Sequence, residues 1–433
     1  MLALVISLLT FSGISGLPIS NDASNAPEQV HLSLTNDPTE MAVTWITQKS
    51  LDKASPYIYY GPSSDALNSK VPAEVTKWTD GGSQSTTRFT YRGIIPFLTP
   101  GQKYYYSVGS DEGKSEVFFF TQINPNREIR AAVFGDFSVK NGYSFDPLIE
   151  MTKLGELDLV FHIGDISYDL DDKNGDKGDE FMNAIQPIAA YVPYMVVAGN
   201  HEQNQDFLHY KNRFTMPQNG VLNDNQFWGV TLGNYHFVGI SSEYYAFNMS
   251  TEAQLQFNWL YRDLRANMNS AWTVLFMHRP MYCSNEHKSG CHNPENTLPR
   301  NGAPGYPALE PLFNTYGVDS VYWAHKHTYE RDWPLRNGTP ILDNQELNHF
   351  HNSPTPVYTL TGAAGCHDHT FPNETIAQPF SAVRLGNYGF IYLTLHNSTH
   401  LSTVFVDALE PSSRLDPFLF TKDPGHKPSG FNV

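Results

Sequence analysis

The sequence predicts an α/β layered domain preceded by an all-β domain. Residues 27–122 contain short alternating segments separated by Asp, Pro, Gly and Ser, and from residue 128 onward apolar runs alternate with helical segments. At 433 residues the chain also exceeds the usual size of a single hydrophobic core. We therefore expect two domains, over residues 27–122 and 128–410.

The first sixteen residues, 1–16, predict a secretory signal peptide. The apolar run LALVISLLTF is followed by small residues up to Gly16, and it is too short to span a bilayer comfortably. A membrane anchor at the N-terminus is the alternative, but no stable membrane anchor is expected. We expect a secreted, extracellular protein, with lysosomes as a second destination.

Two further features fit export from the cell. Four N-x-S/T sequons predict N-linked glycans, at Asn248, Asn337, Asn373 and Asn397. Cys283 and Cys291 bracket a short polar loop and predict a disulfide in an oxidising compartment, which leaves Cys366 as a thiol. Three separate thiols are the alternative.

The chain is acidic, and its charge limits its partners. It has 28 Lys and Arg against 44 Asp and Glu, a formal charge of −16, so no nucleic acid is expected as a partner. A phosphate ester would be repelled as well, unless positive charge is concentrated where it binds. Bound metal ions could supply that charge.

Residues 27–122 predict a β-sandwich. Segments such as VHLSLT, MAVTWIT and YIYYG are separated by turn residues, and GQKYYYSVGS leads to EVFFFT. The arrangement resembles a fibronectin type III-like domain. Because it contains no catalytic constellation, we expect a structural or substrate-orienting role for it.

The second domain is predicted from five apolar runs that read as buried strands. They are AAVFGD, DLVFHIGD, YMVVAGNHE, WTVLFMHRP and SVYWAHKH. Helical segments such as FDPLIEMTKL and TEAQLQFNWLYRDLRAN lie between several of them, as in layered α/β domains. PVYTLTG, YGFIYLTLH and HLSTVFVDA predict further strands of the same domain.

A side chain able to bind metal follows each of the five runs. These residues are Asp136, Asp165, Asn200, His278, and the pair His325 and His327. Alone, each motif fits a turn, a cap or a structural histidine. Together they predict one site, because the carboxyl ends of strands meet at one crevice. The residue types suit two hard or borderline metal ions, with Asp165 of the middle motif shared between them.

Tyr168, three residues after Asp165, narrows the choice of metal. A phenol has a pKa near 10, so it binds well as phenolate only to a strongly acidic cation. Tyr168 therefore predicts ferric iron at one of the two positions.

The motifs GD, GDxxY, GNHE, MHRP and HxH resemble those of the purple acid phosphatase family, within the calcineurin-like metallophosphoesterase superfamily. WAHKHTYER and MHRPMYCSN are similar to the large animal-type branch. The resemblance implies a four-layer metallophosphoesterase sandwich built from βαβαβ units and preceded by the fibronectin type III-like domain. It also implies the ligands. The ferric ion would take Asp136, Asp165, Tyr168 and His327, and a divalent iron, zinc or manganese would take Asp165, Asn200, His278 and His325.

Two positions depart from the family pattern without removing a ligand. The first motif is GDFS where GDxG is common, and the last is AHKH where GHxH is common. Both Ser138 and Ala324 are small, so the backbone can still approach closely. Ser138 could add a hydrogen bond that changes the properties of the metal.

The resemblance implies an acid phosphatase that hydrolyses phosphate monoesters, with a metal-bound hydroxide as nucleophile. His201 is similar to the family's outer-shell histidine, and we expect it to orient phosphate or donate a proton. His287 is the second catalytic candidate, with His292 and a plain surface histidine as alternatives. Glu202 is expected either to contact the metal ligands without binding metal itself, or to be a solvated carboxylate.

Several alternatives remain open from the sequence. His367 and His369 with Cys366 could form an extra metal box, although a turn after LTGAAG also accounts for them. A secreted phosphodiesterase or nucleotide hydrolase would share most ligands, and a binding protein on an inactive scaffold would have lost some. The sequence leaves the physiological substrate, the divalent metal and the oligomeric state undetermined.

Overall fold

The computed structural model describes residues 25–51, 54–284, 290–366 and 377–428. The predicted signal peptide, His287, His367, His369 and the sequon at Asn373 lie outside these residues. Among the helices of the described part, none has the length and apolarity needed to cross a membrane.

The N-terminal domain is a sandwich of two antiparallel sheets. One sheet has the order β1-β2-β6-β5, with β1 Glu28–Ser33, β2 Met41–Thr47, β5 Glu74–Thr79 and β6 Thr87–Ile95. The other has the order β4-β3-β7-β8, with β9 paired to β7: β3 Tyr57–Gly61, β4 Ser69–Pro72, β7 Lys103–Ser110, β8 Gly113–Lys114 and β9 Phe118–Thr121. Trp45 stacks on Tyr91 in its core, with ring centroids 5.4 Å apart.

The second domain contains two larger sheets. The first has the order β12-β11-β10-β24-β25-β26-β21-β20, from β10 Ile129–Phe134, β11 Leu159–Ile163, β12 Tyr194–Val197, β20 Gln345–Glu346, β21 His349–His351, β24 Gly389–Asn397, β25 His400–Asp407 and β26 Arg414–Thr421. The second has the order β13-β14-β15-β16-β22-β17-β23, from β13 Trp228–Leu232, β14 Tyr235–Gly239, β15 Trp272–Phe276, β16 Ser320–Trp323, β17 Tyr329–Asp332, β22 Val357–Thr361 and β23 Ser381–Leu385.

Seven α-helices, a short 3-10 helix over Asn200–Glu202 and a short hairpin complete the secondary structure of the described residues. The helices are α1 Phe145–Lys153, α2 Asp176–Ala189, α3 Asn204–Arg213, α4 Glu243–Ala246, α5 Ser250–Ala266, α6 Pro294–Asn301 and α7 Glu310–Thr315. The hairpin pairs β18 Leu335–Arg336 with β19 Thr339–Pro340. The helical segments predicted from FDPLIEMTKL and TEAQLQFNWLYRDLRAN are α1 and α5.

The two large sheets pack face to face between helices. Phe161 of β11 stacks on Phe276 of β15, with ring centroids 4.1 Å apart. The next residue, His162, points to the opposite face, where its ring centroid lies 5.9 Å from that of Phe181 of α2. On the second sheet, Leu275 shares a buried cluster with Leu264 of α5. The order of helix, sheet, sheet and helix confirms the predicted four-layer fold.

Strands β10, β11 and β12 are parallel to one another, and so are β14, β15, β16 and β22. Their carboxyl ends therefore lie at one edge of each sheet. Because these strands are buried on both faces, their sequences are continuous apolar runs rather than alternating ones.

Strand β2 is buried along its whole length, unlike an ordinary sandwich strand with one solvent face. One of its faces packs into the sandwich, and the other faces the second domain, where Thr44 Oγ1 lies 2.8 Å from Thr215 Oγ1. The segment MAVTWIT is therefore a strand, as predicted, with both faces covered.

A buried ion-pair network joins the two domains. Asp179 of α2 accepts hydrogen bonds from Arg88 of β6, at 2.6 and 2.9 Å, and from Arg213 of α3, at 2.7 Å. Burial alone would raise the pKa of Asp179, but Arg213 and Arg88 lower it to about 2. Both arginine side chains are fully buried, so each depends on this carboxylate.

The Asp179→Asn substitution should therefore destabilise the protein in a pH-dependent way. Because the folded-state pKa lies below the ordinary 3.8, the carboxylate contributes stability above about pH 4 and loses it as the pH falls towards 2. We expect the variant to be less stable by about 2 kcal/mol at pH 5 to 7, and the difference to shrink below pH 4. Thermal unfolding midpoints across this range measure it.

Asp206→Asn is the matched control, since Asp206 pairs with Lys211 at the surface and its side chain is 74% exposed. Exposed ion pairs contribute about 0 to 1 kcal/mol, so this variant should unfold close to the wild type at every pH. Equal losses in the two variants would show that Asp179 does not carry the domain contact.

Candidate metal centre

The structure brings together all seven side chains that the sequence predicts as metal ligands. They follow the parallel strands: Asp136 comes after β10, Asp165 and Tyr168 after β11, Asn200 after β12, His278 after β15, and His325 and His327 after β16. The site therefore lies where the carboxyl edges of the two sheets meet, as strand-end ligands require.

Three of these residues form one half of the site. Tyr168 donates a hydrogen bond to Asp136 Oδ1 at 3.0 Å, and its hydroxyl lies 2.8 Å from His327 Nε2. His327 Nε2 is in turn 3.0 Å from Asp136 Oδ1. A carboxylate, a phenol and an imidazole thus converge within hydrogen-bonding distance of one another.

The other half contains Asp165, Asn200, His278 and His325. His278 Nε2 lies 3.2 Å from Asp165 Oδ1 and 3.2 Å from Asn200 Oδ1. Ligand atoms of Asp165, His278 and His325 all lie within 4.8 Å of one another. His278 Nδ1 donates to the Ile163 carbonyl at 2.9 Å, which turns Nε2 towards the site.

One buried atom in this half has no hydrogen-bond partner among the described residues. It is Nδ1 of His325, whose Nε2 lies 3.3 Å from the Arg279 guanidinium. Leaving a buried polar nitrogen unsatisfied is costly, and a metal ion would satisfy it. The donors of both halves, which are carboxylate, phenol, amide oxygen and imidazole, suit hard or borderline cations.

Without a cation the buried groups compensate one another. Burial would raise the pKa of Asp165, but the adjacent His278 holds it well below its usual range. Burial would lower the pKa of His278, but Asp165 raises it to about 10. Burial also raises the pKa of Tyr168 well above its usual value. Metal binding must therefore displace protons from His278 and Tyr168.

Four of the predicted ligands have left-handed backbone conformations, which non-glycine residues rarely adopt. The φ angles are 58° at Asp136, 53° at Asp165, 57° at Tyr168 and 71° at His325. Two backbone hydrogen bonds join the loops that carry Asp136 and Asp165. The N–H of Asp136 donates to the Gly164 carbonyl, and the N–H of Phe137 donates to the Asp165 carbonyl, both at 3.1 Å.

Glycines next to the ligands allow the loops to approach one another. A Cβ at Gly164, where φ is 91°, would lie 2.4 Å from His278 Nδ1. A Cβ at Gly199 would lie 2.4 Å from Asp165 Oδ1. The glycines of the GDxxY and GNHE motifs are therefore both required by space, and Gly164 is required by its backbone conformation as well.

Glu202 joins two of the ligand loops. Its buried carboxylate accepts hydrogen bonds from the backbone N–H groups of Asp165 at 2.9 Å, Ile166 at 2.8 Å and Gly199 at 2.7 Å. The sequence left open whether this residue was a solvated carboxylate. The structure makes it a buried acceptor that fixes the loops carrying Asp165 and Asn200.

His201, predicted as an outer-shell catalytic residue, lies against the site. Its ring centroid is 4.6 Å from that of Tyr168, and its Nδ1 donates to Asp169 Oδ1 at 2.8 Å. Burial would lower the pKa of His201, but Asp169 and Asp165 raise it to about 9.

Three contacts of the site were not predicted. Asp169 binds His201, Arg279 contacts His325, and Cys366 Sγ lies 3.2 Å from His327 Nδ1. In the sequence, Asp169 follows the GDxxY motif, Arg279 is part of MHRP, and Cys366 follows the turn LTGAAG. The sequence pattern does not predict these contacts, because each residue contacts a partner on a different loop.

The remaining sequence candidates have different outcomes. Ser138 does not use its hydroxyl in the site, since it donates to the Lys140 carbonyl at 2.5 Å. The methyl group of Ala324 faces Gly135. A Cβ added at Gly135 would lie only 2.4 Å from that methyl group, so the contact between these two positions leaves room for small residues only. His292 is exposed. The disulfide between Cys283 and Cys291 is confirmed, and Cys366 lies outside it.

Substitution of Glu202 by Gln should weaken metal binding. An amide presents one acceptor oxygen and an NH₂ group, so it cannot accept from three backbone N–H groups. We expect metal affinity to fall about 10- to 100-fold, the range for lost partners of ligand groups. Metal analysis after dialysis against a competing chelator measures the loss.

The control for this substitution is Glu180→Gln, which changes the same functional group at an exposed position of α2. It should retain metal as the wild type does. Wild-type metal retention in the Glu202 variant would contradict the role given to that carboxylate.

The chain is similar to known proteins over most of its length. The chain matches the family model of the purple acid phosphatase N-terminal domain over residues 27–122, and that of calcineurin-like phosphoesterase over residues 129–329. It also matches the model described as iron/zinc purple acid phosphatase-like protein C over residues 355–416.

The chain is 38% identical over 387 residues to acid phosphatase type 7 of Homo sapiens, covering 87% of each protein. It is 36% identical over 392 residues to acid phosphatase type 7 of Danio rerio, covering 87% of this chain and 86% of the relative. A solved purple acid phosphatase from yellow lupin seeds has the same fold, with a TM-score of 0.75 and 21% identity over 92% of this chain and 75% of that one. The chain thus belongs to the purple acid phosphatase family and is an acid phosphatase that hydrolyses phosphoesters at a dinuclear metal centre.

Proposed function

We propose that the protein hydrolyses phosphate monoesters at a centre of ferric iron and a divalent ion, bridged by Asp165. The observation that carries this proposal is the convergence of Tyr168, Asp136 and His327 beside the group of Asp165, Asn200, His278 and His325. The first group offers a phenol and favours iron(III). The second offers neutral donors around one carboxylate and favours divalent iron, zinc or manganese.

The position of Asp165 supports its role as the shared ligand. Its Oδ1 lies near His278 on one side and accepts from the backbone N–H of His201 at 3.1 Å. On the other side, backbone hydrogen bonds join the Asp165 loop to the Asp136 loop. A carboxylate between two donor groups could be shared by both ions, which would limit the negative charge that the site must bury.

The two ions, when bound, supply Lewis acidity and an activated water for attack on phosphorus. The chain supplies the rest. His201 is 29% exposed at its side chain, so an ester at the centre can reach it. Its ring is held beside Tyr168, where it can bind the phosphoryl group or donate a proton to the leaving oxygen. His287 remains a candidate for substrate contact from the sequence alone.

We also propose that the protein is secreted and carries N-linked glycans. The asparagines of three sequons, Asn248, Asn337 and Asn397, are exposed. The disulfide between Cys283 and Cys291 fits an oxidising compartment. A mass decrease of the secreted protein on treatment with an N-glycosidase would support the glycans.

Metal analysis with a visible spectrum tests the proposed centre. The wild type should contain two metal ions per chain, at least one of them iron, and absorb in the visible through charge transfer from Tyr168 to iron(III). The Tyr168→Phe variant should lose this band, and Asp165→Ala should lose bound metal together with monoester turnover. A colourless protein with zinc alone, or an active Asp165 variant, would contradict the proposal.

His201→Ala should separate catalysis from metal binding. Because His201 is not among the seven predicted ligands, the variant should keep both metals and the visible band. We expect kcat for an alkyl phosphate to fall about 100-fold or more, the usual contribution of a positioned acid. Unchanged turnover would exclude His201 from the reaction.

A further inference from the structure

Arg279 directly follows the predicted ligand His278, and its guanidinium reaches a second predicted ligand. Its Nη1 lies 3.3 Å from His325 Nε2, and its side chain is only 6% exposed. An arginine keeps its charge at any physiological pH. Arg279 therefore places a fixed positive charge beside the half of the site that contains Asp165 and Asn200.

The inner side of the guanidinium is held by a buried carboxylate. Arg279 Nε lies 3.0 and 2.9 Å from the two oxygens of Glu243, whose side chain is completely buried. The Arg279 backbone N–H also donates to Ser242 Oγ at 2.8 Å, and that hydroxyl donates to Glu243 at 3.0 Å. Because backbone and side chain are both fixed in this way, the direction of Nη1 is set before a substrate binds.

The outer side of the guanidinium has a more accessible partner. Nη1 lies 3.1 Å from Oε1 of Glu295, the second residue of α6, and the Glu295 side chain is 32% exposed. Solvent therefore reaches Arg279 from the side of Glu295, whereas Glu243 lies on the side of the protein interior. One guanidinium thus holds two carboxylates, and the accessible one regains water when it leaves.

We infer that Arg279 is a specificity-determining residue, which binds a carboxylate of the substrate through Nη1 in the place that Glu295 occupies in the free protein. The substrate class is then the phosphate monoesters of hydroxy acids. The phosphoryl group binds at the metal centre, and the carboxylate replaces that of Glu295. This inference rests on the proposed function, because it names the substrates of the same centre.

The charges favour exchange of one carboxylate for another. The chain has a formal charge of −16, so an ester with an additional negative charge needs a local cation besides the metal ions. Replacing Glu295 by a substrate carboxylate leaves the number of charges on Arg279 unchanged, so no charge is left buried without a partner. Hydrogen bonds between a guanidinium and a carboxylate are also among the strong ones. An uncharged hydroxyl group gains neither advantage.

Two esters that differ at one carbon test the inference. 3-Phosphoglycerate has a carboxylate where glycerol 3-phosphate has a hydroxymethyl group. In Arg279→Gln, we expect kcat/KM to fall about 10- to 100-fold for 3-phosphoglycerate, chiefly through KM, and about threefold or less for glycerol 3-phosphate. Arg279→Lys keeps the charge without the planar fork and should recover part of the loss. Arg262→Gln, at an exposed position of α5, is the matched control and should behave as the wild type with both esters.

Glu295→Gln should change the preference in the opposite direction. The amide is a weaker competitor for the guanidinium, so we expect kcat/KM to rise about three- to tenfold for 3-phosphoglycerate and less than twofold for glycerol 3-phosphate. If the ion pair only stabilised the loop, the substitution would lower both values instead. Glu180→Gln removes the same charge at an exposed position of α2 and should leave both values unchanged. Metal content is measured in every variant, and rates are expressed per metal-loaded chain.

A measurement without turnover separates binding from chemistry. Phosphonates are not hydrolysed, and 3-phosphonopropionate carries a carboxylate that propylphosphonate lacks. Calorimetric titration of the metal-loaded protein should show about 10-fold tighter binding of 3-phosphonopropionate by the wild type. Arg279→Gln should abolish this difference between the two ligands, and Glu295→Gln should enlarge it.

The inference and the proposed function fail in different ways. If the metal-loaded wild type hydrolyses neither ester, the proposed function is wrong and the inference is wrong with it. If the wild type hydrolyses both, and metal-loaded Arg279→Gln loses the same factor with each, only the role of Arg279 is wrong. An unchanged preference in Glu295→Gln, or equal losses with both esters, would also overturn the inference.

Discussion

The buried carboxylate of Glu202 fixes the distance between the loops that follow β11 and β12, and the site depends on that distance. It binds backbone N–H groups on both loops, next to Asp165 and just before Asn200. The adjacent ligand loops have left-handed residues, each of which costs about 1 to 3 kcal/mol unless its surroundings hold it. A buried acceptor that serves three donors at once provides such a constraint. The ligands can then be in place before any ion binds.

The N-terminal domain extends this constraint outward. Helix α2 begins eight residues after Tyr168, and helix α3 begins four residues after Asn200. Asp179 on α2 and Arg213 on α3 bind each other, and Arg88 of the β-sandwich binds the same carboxylate. The sandwich therefore holds together the two helices that follow the ligand loops. The seven predicted ligands and His201 lie in the second domain, and this contact gives the N-terminal domain a physical reason to remain attached to it.

The sequence could predict the ligands because they depend on strand pattern. Apolar runs ending in Asp136, Asp165 or His278 identify the carboxyl ends of buried strands, and parallel strands bring those ends together whatever the loops do. The contacts of Asp169, Arg279 and Cys366 could not be predicted in this way, since they depend on loop conformation. A φ of 77° at Asp169 is not encoded in any short pattern. The burial of both faces of β2 was missed for a related reason, because the second face is covered by another domain.

The two halves of the site differ in chemistry, and this difference comes from which loop supplies each donor. The loop after β11 gives the Asp165 carboxylate and a phenol, and the loop after β12 gives a neutral amide and then His201. Tyr168 contacts Asp136 and His327 on one side and the His201 ring on the other. Tyr168 thus belongs to one half of the site and also forms one wall beside the His201 ring. Asp165 Oδ1 accepts from the His201 backbone N–H and lies 3.2 Å from His278 Nε2, and its loop is hydrogen-bonded to the Asp136 loop, so Asp165 ties that histidine to both halves. A change in either half would therefore also affect the position of the His201 side chain.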